Sequence, residues 1–149
     1  MLKDLIRPSI YSVDHQTPVR EVAKIMKTKD IGCILVCNAK GVPIGIITDR
    51  DLVVRCMANG LNLDKAKAQE IMTATVKTIR EDSGLFECIR TMHDAKVRRL
   101  PVVNSEGKPV GIISFGDVLS LLSQEFGSLI ENCTHPIDAQ KTAKKGLAA

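Results

Sequence analysis

The sequence predicts an α/β (α+β) fold in which one unit of about 50 residues occurs twice, the copies related by a pseudo-twofold axis. Three observations predict it. Displaced by 66 residues, the chain matches itself without a gap as far as Leu119. The identities include Glu21/Glu87, Met26/Met92, Val36/Val102, Asn38/Asn104, Gly41/Gly107, Pro43/Pro109, Gly45/Gly111, Ile46/Ile112, Ile47/Ile113 and Asp51/Asp117. In each copy a helical apolar stripe precedes two short apolar runs, the pattern of a helix followed by a strand pair. A unit of this size buries too little surface to be stable alone, so the two apolar faces are expected to pack together.

Each copy opens on an extended lead-in, residues 10–13 and 76–79. Thr17 and Ser83 are good N-cap types, and Pro18 suits a first helical position. Val19, Val22, Ala23 and Met26 then recur at i, i+3, i+4 and i+7, and Leu85, Cys88, Ile89 and Met92 repeat the stripe. Apolar strands follow over 31–37 and 97–103. Turns at 38–41 and 104–107 lead into second strands at 42–47 and 108–113. A closing helix is expected after Thr48 and after Ser114. Residues 59–68 read as a linker entering a short helix through Glu70, Ile71 and Met72. These signals place a first domain at 1–61 and a second at 62–125. Residues 126–149 carry the end of the last helix and a polar, flexible tail.

Composition narrows the function. Hydrophobic residues form 44% of the chain, enough for a core, but aromatics form 3% and Trp is absent. So few aromatics argue against base-stacking surfaces for single-stranded nucleic acid. A net charge of +4 fits a small anionic ligand without requiring DNA. Nucleic-acid binding, for which only this charge and the tail lysines Lys141, Lys144 and Lys145 speak, is therefore the weaker reading. Five cysteines, an odd number, together with an N-terminus lacking a signal-type apolar run, read as reduced thiols in a cytoplasmic protein. No stretch reaches the ~20 apolar residues of a membrane span.

The strongest chemical signal is Gly45-Ile46-Ile47-Thr48-Asp49-Arg50-Asp51, repeated as Gly111-Ile112-Ile113-Ser114-Phe115-Gly116-Asp117. A hydroxyl followed three residues later by a carboxylate is, in its plainest reading, a capping box. The same geometry suits a ligand. A helix start attracts phosphate, and a carboxylate there accepts two hydrogen bonds from a ribose diol. The preceding glycine admits close backbone approach. Duplication of the motif favours the ligand reading. Arg98-Arg99 reads as a phosphate clamp or as two solvated charges at a strand edge. The first copy has Gly32 and Cys33 there, so its cleft is expected to lack a phosphate cation. Arg50 stands beside a helix start, as a phosphate contact or a surface charge. Cys33 and Cys37 read as inert strand thiols. Cys133 and His135 are too few ligands for a metal site. There is no nucleophilic triad and no phosphate loop of the nucleotide-hydrolase type, so catalysis is not expected.

Residues 43–52, Arg98-Arg99-Leu100-Pro101-Val102-Val103 and 111–119 together resemble the paired cystathionine-β-synthase (CBS) domains, over about residues 1–122. The resemblance implies two small mixed sheets with flanking helices, packed as one regulatory module that commonly dimerises. It implies an adenosine ligand (AMP, ADP, ATP or S-adenosylmethionine) in clefts between the domains, no catalytic cofactor, and control of a separate target protein. By position, Asp51 and Asp117 would hold ribose hydroxyls, Thr48 and Ser114 would meet ribose or phosphate, and Arg98 and Arg99 would face phosphate. Ile10, Thr75 and Val76 would meet adenine, and Pro101 would line its slot. On this reading Asp117→Ala and Arg98→Ala are expected to weaken binding more than Asp51→Ala. The alternative is a ligand-free dimerisation platform whose aspartates only cap helices.

Overall fold

A computed structural model of the chain describes residues 5–8 and 10–134. The first copy contains β1 (Ser12–Asp14), α1 (Val19–Lys29), β2 (Cys33–Cys37), β3 (Pro43–Thr48) and α2 (Asp49–Asp51), which continues as a wider π-type turn over Leu52–Met57. A short helix α3 (Ala68–Ile71) and strand β4 (Thr73–Ala74) follow. The second copy contains β5 (Ile79–Arg80), α4 (Leu85–Ala95), β6 (Arg99–Val103), β7 (Pro109–Ser114) and α5 (Phe115–Thr134). Of the segment 126–149, the part through Thr134 continues α5, so Cys133 and Thr134 are helical, and the rest lies outside the described residues.

Each copy folds by the same local rules. The lead-in pairs parallel to the next strand, β1 with β2 and β5 with β6. The hairpins β2–β3 and β6–β7 are antiparallel, with an irregularity at Val36/Cys37 and again at Val102/Val103. Their turns are set by asparagine: the Asn38 side-chain Oδ1 accepts from Lys40 N and Val42 N, and Asn104 Oδ1 accepts from Glu106 N and Lys108 N. Gly41 and Gly107 take the positive φ (77° and 76°) that closes each turn.

The helix starts differ from expectation. Pro18 occupies the cap position of α1, and Gly84 that of α4, without a side-chain bond in either. The first N–H groups of α1 go instead to the linker: Val19 N donates to Ala66 O and Arg20 N to Leu63 O, each at 3.0 Å. Arg20 also pairs with Asp64. A distant segment therefore does the work that a local hydroxyl was expected to do.

The two copies exchange edges. β4, from the approach to the second copy, pairs antiparallel with β3, completing the order β1-β2-β3-β4. The approach to the first copy does the reverse, with Arg7 N donating to Ile112 O and Ile112 N to Arg7 O, both at 3.1 Å. The partners Thr73/Ile46 and Arg7/Ile112 are themselves 66 residues apart. The exchange extends into the cores. Ile71 is fully buried with Val19, Val22, Ile34, Val36 and Ile47, while Leu5 and Ile6 pack against Leu100, Val102, Ile113 and Val118. Leu63, Ala66, Ala68 and Met72 likewise pack in the first core, although a boundary at 61/62 assigns them to the second domain.

This exchange explains the repeated glycine. A Cβ on Gly45 would collide with Met72, lying 2.9 Å from its Cγ, and a Cβ on Gly111 would lie 2.7 Å from Arg7 O. The close backbone approach expected of a ligand is made here by the crossing chain. Because Ile71 anchors that segment, Gly45→Val is expected to cost about 1–3 kcal/mol of stability. Urea denaturation checks it, and an unchanged midpoint would contradict the packing described.

Candidate functional site

The two hydroxyl-x-x-Asp motifs form capping boxes of matching geometry. Thr48 N and Oγ1 each donate to Asp51 Oδ2 at 2.8 Å, and Asp51 N donates to Thr48 Oγ1 at 3.3 Å. Ser114 N and Oγ donate to Asp117 Oδ2 at 2.9 and 2.5 Å, and Asp117 N donates back at 3.2 Å. Each box uses Oδ2 and leaves Oδ1 turned outward. A carboxylate thus caps its helix and keeps a second acceptor for something else.

An arginine meets that second oxygen in each copy, but from different places. Arg55, one turn along the same helix, approaches Asp51 Oδ1 at 3.3 Å and also donates to Ile71 O at 2.9 Å. Arg7, on the exchanged N-terminal arm, donates to Asp117 Oδ1 through Nε at 2.9 Å and through Nη2 at 2.5 Å. Burial pushes the Asp117 carboxyl up, but the Ser114 side-chain and backbone bonds, followed by Arg7, outweigh it and hold it below the ordinary value.

Two cavities adjoin these motifs. The first, about 450 Å³, lies where the copies meet. Ile10, Tyr11, Gly32 and Cys33 line it from the first copy, and Arg99 and Ile112 from the second. Cys33 sits opposite Thr48 in the strand register, and Asp49 N donates to Gly32 O, so the start of α2 abuts this space. Burial pushes the Cys33 thiol up; the nearby Arg99 charge pulls the other way, and Asp49 adds to the rise. The second cavity, about 390 Å³, lies between the arm and α5, with Asp117, Ser120 and Gln124 facing Leu5, Ile6, Arg7 and Pro8. Arg7 and Pro8 line both spaces.

The predicted site residues therefore part company. Arg99 does enter a cleft, but the one flanked by Gly32 and Cys33, so the cation missing from the first copy arrives from the second. Its neighbour Arg98 lines an apolar groove between α4 and α5 with Met92, Phe115 and Leu119. Ile10 lines the first cavity. Pro101 is fully buried in β6, and its counterpart Leu35 lines the first cavity. Asp51, Thr48, Ser114 and Arg50 line neither cavity; Arg50 is exposed and its N–H donates to Asp49 Oδ1. Thr75 and Val76 lie where the chain crosses from β4 to β5. Thr75 has φ 58°, a region that a β-branched residue enters at a cost of about 1–3 kcal/mol. Sequence reasoning missed Arg7. The signal was present, since position 7 maps onto Thr73 by the repeat displacement and so precedes its lead-in in the same way.

Among the described residues no group of three or more His, Cys, Asp or Glu side chains is placed to hold a metal ion. His135 lies outside them. No helix among them is long and apolar enough to cross a membrane.

Two copies of one α+β unit that exchange edges beside a cleft lined from both copies define a tandem-domain module. The sequence profile of the CBS domain matches residues 2–57 and 68–124, and the chain belongs to that family. It is 41% identical over 101 residues to the uncharacterized protein MK0525 of Methanopyrus kandleri, covering 68% of this chain and 52% of that one. The chain thus spans about half the length of that relative. It resembles the CBS domain pair of protein MJ0100 in complex with 5′-methylthioadenosine and S-adenosyl-L-methionine (TM-score 0.72, 26% identity, 84% of this chain and 97% of that one). It also resembles the cytosolic domain of the Mg2+ channel MgtE in complex with ATP (TM-score 0.66, 31% identity, 78% of this chain and 46% of that one).

Proposed function

We propose that the chain is a regulatory module that binds an adenosine nucleotide between its two copies and acts on a separate target protein rather than as an enzyme. The observation that carries this reading is the placement of Arg99, from the second copy, in a cleft whose other wall is Ile10, Gly32 and Cys33 of the first. A phosphate on that guanidinium would tie the copies together, and the outward oxygen of Asp117 would accept from the ribose diol. The apolar residues Ile10 and Tyr11 suit a purine face. The volume falls within the ~300–1,000 Å³ of small-molecule sites. The adenosine ligands in complex with the CBS domain pair of MJ0100 and with the cytosolic domain of MgtE support the same class. Ligand can shift the packing of the two copies only by binding one arrangement better than another.

Calorimetric titration with AMP, ADP, ATP and S-adenosylmethionine tests the reading. Arg99→Ala is expected to weaken the best of them about tenfold or more, the worth of one charge-assisted bond. Arg98→Ala, in the helix groove, is expected to leave affinity within about twofold, since a charge outside the cleft is screened by solvent. The reverse order would place the phosphate elsewhere, and no binding by any of the four would count against the reading as a whole.

Self-association has its own observation. The equivalent residues Val53 and Leu119 are both about half exposed, at 55% and 50%, and Met57, Phe115, Phe126, Leu129 and Ile130 extend the apolar surface along the same helices. Exposure on this scale favours a homodimer through the helical faces. The two readings are compatible, because the helices carrying this surface are those whose first turns hold Asp51 and Asp117.

A further inference from the structure

We infer that Arg7 is a displaceable latch: it holds the N-terminal arm across the Asp117 cleft, and a nucleotide must eject it to bind. The inference rests on the reading above and names how that site is regulated. Asp117 Oδ2 is committed to Ser114, so Oδ1 is the oxygen available to a ribose diol, and Arg7 occupies it with two bonds. Arg7 and Pro8 also form the partition between the cavity that contains Arg99 and the cavity that contains Asp117. With the arm in place the phosphate cation and the ribose acceptor stand in separate spaces. With the Arg7 side chain swung aside the two spaces open toward each other.

The Arg7 side chain is suited to leave. It is 69% exposed against 11% for Asp117, so its guanidinium can turn into solvent while the arm stays held by the two backbone bonds with Ile112 and by Leu5 and Ile6 in the second core. The first copy has no such device. The residue equivalent to Arg7 is Thr73, which has no cation to offer Asp51. Arg55 serves there instead, tied to its own helix and to Ile71 O, and Ile71 is fully buried. One cleft is therefore gated by a detachable side chain, and the other is pinned. Binding at the gated cleft would free the Arg7 guanidinium and loosen the arm's hold on the edge of β7, a change that a target protein could sense.

The test uses the full chain, the variants Arg7→Gln and Asp117→Asn, AMP, ADP, ATP and S-adenosylmethionine as the ligands titrated, and two readouts, calorimetry and hydrogen exchange at the Ile112 amide. Arg7→Gln is expected to bind the best of these ligands about tenfold more tightly, because ligand no longer competes with a charged donor. Without ligand it is expected to exchange at Ile112 several-fold faster than wild type. Asp117→Asn should speed the same exchange without the gain in affinity. Saturating ligand should also speed Ile112 exchange in the wild type. Equal or weaker binding by Arg7→Gln, or Ile112 protection that neither the substitution nor ligand alters, would overturn the latch while leaving nucleotide binding intact. No binding by either wild type or Arg7→Gln would instead defeat the underlying reading, and the latch with it. Binding recovered only in Arg7→Gln would support both.

Discussion

On the proposed reading, Asp117→Ala is expected to weaken adenosine-nucleotide binding at least about 30-fold, because two bonds from the ribose diol to the carboxylate would be lost together. Nucleotide titration of the variant measures it, and a loss under about threefold would remove Asp117 from the site. Asp51→Ala is expected to lose less, since Asp51 lines neither of the cavities described and its outer oxygen is already engaged by Arg55. Stability should fall too, by about 1–2 kcal/mol, the usual cost of losing a capping side chain. That part depends on acidity in a definite direction. The folded Asp117 carboxyl sits below its ordinary value, with burial more than offset by the Ser114 bonds and Arg7. A group depressed in this way stabilises the fold above the unfolded carboxylate value of about 4 and loses that contribution as pH falls through the lower folded value. The stability gap between wild type and Asp117→Ala should be full at neutral pH and shrink steadily below about pH 4. A gap that widened in acid would show that the carboxylate is not the stabilising form.

Ile113→Ala is expected to cost about 2–5 kcal/mol, the range for truncating a fully buried aliphatic side chain. Ile113 is fully buried in β7, opposite Leu100. The more telling result is what melts with it. Although Ile113 belongs to the second core, each sheet borrows its outer edge from the approach to the other copy, and Ile71 and Leu5 carry that exchange into the cores. Heating should therefore give one transition, shifted down, and not a second-copy transition followed by an unchanged first. Calorimetry distinguishes the two, and a persistent high-temperature step at the wild-type position would show that the copies fold independently.

Much of this was legible in the sequence because it is written in local rules. The two helix stripes, the asparagine turns and the hydroxyl-x-x-Asp boxes depend on residues within a few positions of one another. Duplication lifted each signal above chance. What stayed hidden depends on contacts between distant segments. The start of α1 is satisfied by Ala66 O and Leu63 O, so Thr17 only looked like its cap. Gly45 and Gly111 are small because Met72, Ile6 and Arg7 cross over them, a demand invisible without the strand exchange. Arg98 and Arg99 look like one clamp in the sequence. Their neighbours in space differ completely: Met92 and Phe115 surround one, Gly32 and Cys33 the other. The resemblance assigned both arginines alike because it works by position, whereas the direction of a side chain is set by packing.

The lending of edges between the copies has a consequence for what the covalent connection does. A chain carrying a single unit and its lead-in would possess both the donor segment and the accepting edge, so two such chains could close on each other through the same bonds. Residues 59–67, besides satisfying the start of α1, then act as a tether, raising the local concentration of one half around the other and turning a meeting of two molecules into an internal step. By fusing the halves into one polypeptide, the molecule also lets them diverge, and only one of its two capping aspartates has come to face Arg7.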